Sequence, residues 1–79
     1  MAEYTPERTL DARGLKCPMP VVKTSQEIKN LAVGSVLEVM ATDPGSVADI
    51  QAWCKSTSNE LLGMEKGDGV FKFYIRRVK

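Results

Sequence analysis

Twice in this chain an alternating apolar run is followed, a few residues on, by a proline that opens a helical segment. RTLDAR (8–13) leads through GLKC to Pro18, and SVLEVMAT (35–42) leads through Asp43 to Pro44. Alternation puts every second side chain on one face, as in a half-buried strand. Leu10 and Ala12 form the inner face of the first run; Leu37, Val39 and Ala41 form that of the second. Proline is tolerated in a first helical turn because the N–H it lacks would have no intrahelical partner there. A strand-helix-strand unit makes its two strands parallel and its crossover right-handed. The repeated unit therefore commits the chain to a sheet with helices packed against it.

The first helix is expected over about 18–31. Val21, Ile28 and Leu31 or Ala32 face inward, Thr24 and Ser25 keep part of that face small, and Lys23, Gln26, Glu27, Lys29 and Asn30 face water. The second helix has Asp43 as N-cap and Pro44 at its first position. Val47, Ile50 and Cys54 make its apolar stripe, flanked by Trp53. ELLGM (60–64) reads as a short strand, KGDG (66–69) as a hairpin turn, and VFKFYIRRV (70–78) as a last strand with Phe71, Phe73 and Ile75 inward.

The expected order is β-α-β-α-β-β. This is an α/β fold, a two-layer α/β sandwich with a four-stranded mixed sheet and both helices on one face. Residues 1–7 are expected to form a flexible N-terminus and residues 8–79 a single domain. The loops after the first two strands leave the sheet at the same edge, so Cys17 and residues 43–46 are expected to be neighbours.

Seventy-nine residues bury only about 60–65% of their unfolded surface, so the core is thin. The net charge of +1 argues against direct nucleic-acid binding. The chain has no histidine, which removes the commonest general base and the commonest metal ligand. Its two cysteines stand 37 positions apart (54 − 17) and make neither a zinc site nor a CxxC pair. No metal and no cofactor are expected. There is no apolar run near 18 residues, which argues against a membrane span. MAEYTPE lacks the basic and apolar regions of a signal peptide, which points to the cytoplasm. In that reducing compartment a structural disulfide is not expected. Any chemistry rests on a thiol working without histidine.

RGLKCPMP (13–20) holds that thiol. Cys17 stands just before a helix N-terminus, where the dipole and free N–H groups favour an anion and lower cysteine pKa values. Lys16 and Arg13 add positive charge, so a thiolate is expected. Pro18 biases Cys17 away from helical angles and Pro20 stiffens the same turn, at the expense of two N–H donors. Against this stands an inert Cys17, a small hydrophobe at a helix cap. Cys54 reads as a core cysteine, about 15 Å along its helix from the edge that holds Cys17. Asp43 reads as a cap, worth about 1 kcal/mol, with a place on the partner-facing edge, where its charge would raise the thiol pKa. Asp11 has no physical role legible in the sequence. Arg13 and Lys16 are either solvated loop charges or steer an acidic partner surface. Lys72, Tyr74 and Arg76 alternate on the outer face of the last strand. One aromatic and a balanced charge favour a solvated or partner-docking face over an RNA platform.

LDARGLKCPMPVVKT resembles the signature of the TusA/SirA-like sulfur-carrier family, D-x-x-G-x-x-C-P-x-P. Asp11, Gly14, Cys17, Pro18 and Pro20 match it. The resemblance continues through LEVMATDPGSVADIQAWCK and YIRR, covering about residues 8–78. It implies the two-layer sandwich reached above and a role in sulfur relay. By that resemblance Cys17 accepts sulfane sulfur as a persulfide from a cysteine desulfurase or rhodanese-type donor. It then passes the sulfur to a partner protein, for tRNA thiolation, molybdenum cofactor biosynthesis or sulfur oxidation. Such a chain is a co-substrate of its partner enzymes. Two other classes stay open: a regulatory module binding protein or RNA through the open sheet, and a redox switch forming an intermolecular disulfide at Cys17.

Overall fold

The computed structural model describes residues 5–79. Its elements run β1 (Arg8–Ala12), α1 (Met19–Ile28), β2 (Val36–Ala41), α2 (Gly45–Thr57), β3 (Glu60–Gly67) and β4 (Val70–Arg76). The first four residues of the expected loose end lie outside the described residues. Glu7 is already held: its N–H donates to the Val36 carbonyl at 2.9 Å and its carboxylate accepts the Val36 N–H at 2.7 Å.

The sheet order is β1-β2-β4-β3. β1 and β2 are parallel, and β4 runs antiparallel to both β2 and β3. Both helices cover one face. There Leu37, Val39 and Ala41 of β2 meet Phe71, Phe73 and Ile75 of β4, with Ala12 beside them and Ile28, Leu31, Ile50 and Cys54 closing from the helix side. Burying these side chains is the main favourable contribution to folding.

α1 starts and ends inside the expected span. Its inner row is Pro20, Thr24 and Ile28, followed by Leu31 just past its end, while Val21 is only half-buried and Ala32 is exposed. Pro20 thus packs inward as well as stiffening the turn. Thr24 tolerates burial because its hydroxyl donates to the Pro20 carbonyl at 2.7 Å. At the far end, the Arg77 guanidinium donates to the Leu31 carbonyl at 2.5 Å and the Lys29 carbonyl at 3.3 Å, satisfying acceptors that the helix end leaves open. α2 begins one residue later than expected, with Pro44 in the flanking position. The Asp43 carboxylate still accepts the Gly45 N–H at 3.1 Å.

The hairpin turn is tighter than the four residues of the sequence reading. Gly67 pairs with Val70, leaving only Asp68 and Gly69, both at positive φ, as a type I′ connection requires.

Candidate functional site

Ala12 and Ala41 are directly paired at the ends of β1 and β2, so the two loops that follow leave the sheet side by side. Two hydrogen bonds tie them together. The Gly14 N–H donates to Thr42 Oγ1 at 2.9 Å, and the Cys17 N–H donates to Asp43 Oδ2 at 2.7 Å. Gly14 sits at φ +80°, a turn that favours glycine, and it lets β1 bend straight into this contact. Pro18 follows through a cis peptide bond. Gly14, Leu15, Lys16, Cys17, Thr42, Asp43 and Pro44 line a cleft of about 370 Å³. The expected meeting of Cys17 with the start of α2 is therefore present.

Asp43 is not the N-cap expected of it, since Pro44 takes that position, but its carboxylate bridges the two loops. One carboxylate oxygen accepts the Gly45 N–H and the other the Cys17 N–H, so a single side chain pins the start of α2 to the cysteine backbone. Those two backbone donors, helped by the charge of Lys16, hold the Asp43 carboxyl below its ordinary range.

Cys17 is exposed, as a reactive thiol must be. Its ionisation departs from the expectation. Sγ donates to Asp49 Oδ2 on α2, and this bond, then partial desolvation, then the charges of Asp49 and Asp43, push the thiol pKa up. The expected anion site is missing for a local reason. Pro18 and Pro20 carry no N–H, and the Met19 N–H is spent on the Lys16 carbonyl at 2.8 Å. Asp49 escaped the sequence reading. It lies in the second turn of α2, where a lone acidic residue looks like part of a solvated face. The one available signal was its place near the edge already assigned to Cys17.

Arg13 does not serve the thiol either. Its guanidinium grips Asp11 through two bonds of 2.9 Å, and its N–H adds a third at 3.1 Å. The side-chain bond, then the backbone bond, hold the Asp11 carboxyl down at about 2. This gives Asp11 the role the sequence withheld: it draws Arg13 away from the thiol, toward a groove of about 360 Å³ that Arg13 lines with Met40, Glu65, Lys66, Asp68 and Lys72.

The outer sheet face is also corrected. Tyr74 is 2% exposed and offers no ring for stacking. It stands opposite Glu38 on one side and Gly63 on the other, and its hydroxyl donates to Glu65 at 3.3 Å. Burial, then Glu38 and Glu65, push its pKa up. Lys72 is half-buried opposite Glu65, and Arg76 is ion-paired with Glu60. The three residues share a face, on which Tyr74 is covered and Arg76 is already paired. Cys54 is buried in α2 and unpaired with Cys17. Exposed apolar side chains do occur next to the cysteine: Met19 and Val22 of α1 are 39% and 38% exposed. No helix among the described residues is long and apolar enough to cross a membrane.

Known proteins carry the same arrangement of elements. A solved SirA-like protein from Desulfitobacterium hafniense superposes with a TM-score of 0.79 at 26% identity, covering 91% of this chain and 99% of its own. A protein of Halobacterium salinarum is 51% identical over 79 residues, covering 99% of this chain and 98% of its own length. Sulfur carrier protein TusA of Pseudomonas putida is 43% identical over 77 residues, covering 98% of this chain and 96% of its own length. The family model for sulfurtransferase TusA matches residues 8–77, from the first residue of β1 to just past β4. That span contains the cysteine, both loops of the cleft and the whole sheet, and the chain belongs to the TusA family.

Proposed function

We propose that this chain carries sulfane sulfur as a persulfide on Cys17 and passes it to a partner protein. The observation that carries the reading is the setting of Cys17. It is an exposed thiol held by its own backbone at the shared edge of two helices, in a chain whose relatives include proteins named sulfur carriers. A carrier must expose its sulfur to two successive partners, and a thiol on a fixed rim does so.

Loading is thiol–persulfide exchange. The Cys17 sulfur attacks the outer sulfur of a donor persulfide, the donor S–S bond breaks, and a new S–S bond forms on Cys17. The sum is Cys17–SH plus R–S–SH giving Cys17–S–SH plus R–SH, with no external oxidant or reductant. Unloading repeats the exchange with an acceptor thiol. The donor is of the cysteine desulfurase or rhodanese type. The acceptor belongs to tRNA thiolation, molybdenum cofactor biosynthesis or sulfur oxidation. The chain acts as a co-substrate of these enzymes in the cytosol. Met19 and Val22 give a partner apolar surface beside the sulfur, and Lys16 lines the cleft mouth.

Intact-mass measurement after incubation with a cysteine desulfurase and cysteine tests the reading. A gain of about 32 Da, one sulfur atom, is expected on the wild type and on Cys54→Ser and not on Cys17→Ser. No gain on any variant, with Cys17 shown reduced and open to alkylation, refutes it.

A further inference from the structure

We infer that Asp49 is a positioning residue for the transfer: its carboxylate accepts the Cys17 S–H and holds the unloaded carrier as a neutral, oriented thiol. The biological meaning rests on the sulfur-carrier reading above; the chemistry rests on how two carboxylates divide the site.

Asp43 has both oxygens committed to backbone N–H groups, one at Cys17 and one at Gly45. It fixes where the cysteine backbone stands. Asp49 touches the sulfur itself, from a helix 32 positions away in sequence. It is half-buried, so the contact is partly shielded from water. The charged groups acting on the thiol are these two carboxylates, from the loop before α2 and from α2. Lys16, in the cysteine's own loop, acts on Asp43. Arg13 is turned to Asp11. The local balance at the sulfur is therefore negative, which favours S–H over S⁻.

A thiol is a poor nucleophile and a thiolate a good one. An unloaded carrier kept as the thiol reacts slowly with stray electrophiles and oxidants. During loading the Cys17 S–H bond breaks as its sulfur bonds to the donor's outer sulfur, and the proton ends on the departing donor thiolate. Asp49 holds that proton at the site until then.

The test is the pH dependence of Cys17 alkylation by iodoacetamide, read by peptide mass in the absence of any sulfur donor. Asp49→Asn keeps the shape and removes the charge. It is expected to alkylate roughly two- to fivefold faster than wild type at neutral pH, the size of one exposed charge interaction, with its whole profile displaced to lower pH. Asp49→Glu, which keeps the charge, is expected to return the profile toward wild type. Asp49→Ser replaces Asn if the amide variant loses its circular dichroism spectrum. A folded charge-removing variant whose profile superimposes on wild type, or moves to higher pH, overturns the inference. A displaced profile combined with no sulfur uptake by any form would refute the carrier reading and leave the control by Asp49 standing.

Discussion

Cys17 and Cys54 carry the same group, and in both the thiol is pushed above its ordinary range, but the leading causes differ. At Cys17 the first cause is the bond to Asp49, with the charges of Asp49 and Asp43 adding to it. At Cys54 it is burial in the core, which pushes the thiol up to about 11. A charge on a rim can be shifted or neutralised when another molecule docks. Burial yields only when the fold opens. Two thiols suppressed at rest thus have different futures: the first is conditionally reactive and the second is inert for as long as the protein is folded.

The sharpest way to break this contrast is to remove each sulfur in turn. Cys17→Ser is expected to abolish sulfur uptake and leave the melting temperature unchanged. Cys54→Ser is expected to keep uptake and lose about 1–3 kcal/mol of stability, because a hydroxyl in that apolar site lacks a partner. Sulfur uptake by Cys17→Ser, seen by intact mass, would undo the distinction.

The core side of the comparison is tested at Ile50, one turn before Cys54 on the same inner row and fully buried. Ile50→Ala is expected to cost about 2–5 kcal/mol in urea unfolding, with most of the native m-value retained. It should also speed alkylation of Cys54, since opening of the core is what exposes that sulfur.

Two pH effects follow, each with its own sign. The folded pKa of Cys54 is raised to about 11, so its contribution to stability is complete below the pKa of the unfolded thiol and is lost as pH rises from there through about 11. Cys54→Ala should flatten this alkaline decline. The folded carboxyl of Asp11 is held at about 2, so its contribution is complete above the ordinary aspartate pKa and is lost as pH falls toward 2. The Asp11–Arg13 pair is half-exposed, so its effect on stability is small, and a carboxyl NMR titration is the better measurement. A midpoint for Asp11 in the normal aspartate range would show that Arg13 is free to reach the thiol after all.

The smallest effect is expected at Ser58, which closes α2 with φ of 64°. Ser58→Gly should gain up to about 1 kcal/mol, because glycine takes this left-handed conformation without steric cost. It touches neither cysteine, so both alkylation rates should stay as they are.

The order of elements and the inward residues were legible in the sequence because each depends on a local rule. Period-two alternation marked Leu37, Val39 and Ala41, and again Phe71, Phe73 and Ile75. Helical spacing marked Ile28, Ile50 and Cys54. Two crossovers of one hand placed Cys17 next to Asp43 with no knowledge of distances. Tertiary structure decided the sheet order, with β4 inserted between β2 and β3, because the chain could return along either edge of the sheet. It also decided which charges meet. Whether Arg13 turns to Cys17 or Asp11, whether Asp49 faces water or sulfur, and whether Tyr74 stands proud or sinks between Glu38 and Gly63 are matters of a few ångströms between side chains. The pattern along the chain carries residue type and face, which is enough to bring a thiol and an acidic edge together. The state of that thiol is set by which carboxylate oxygen points at it, and only the packed molecule decides that.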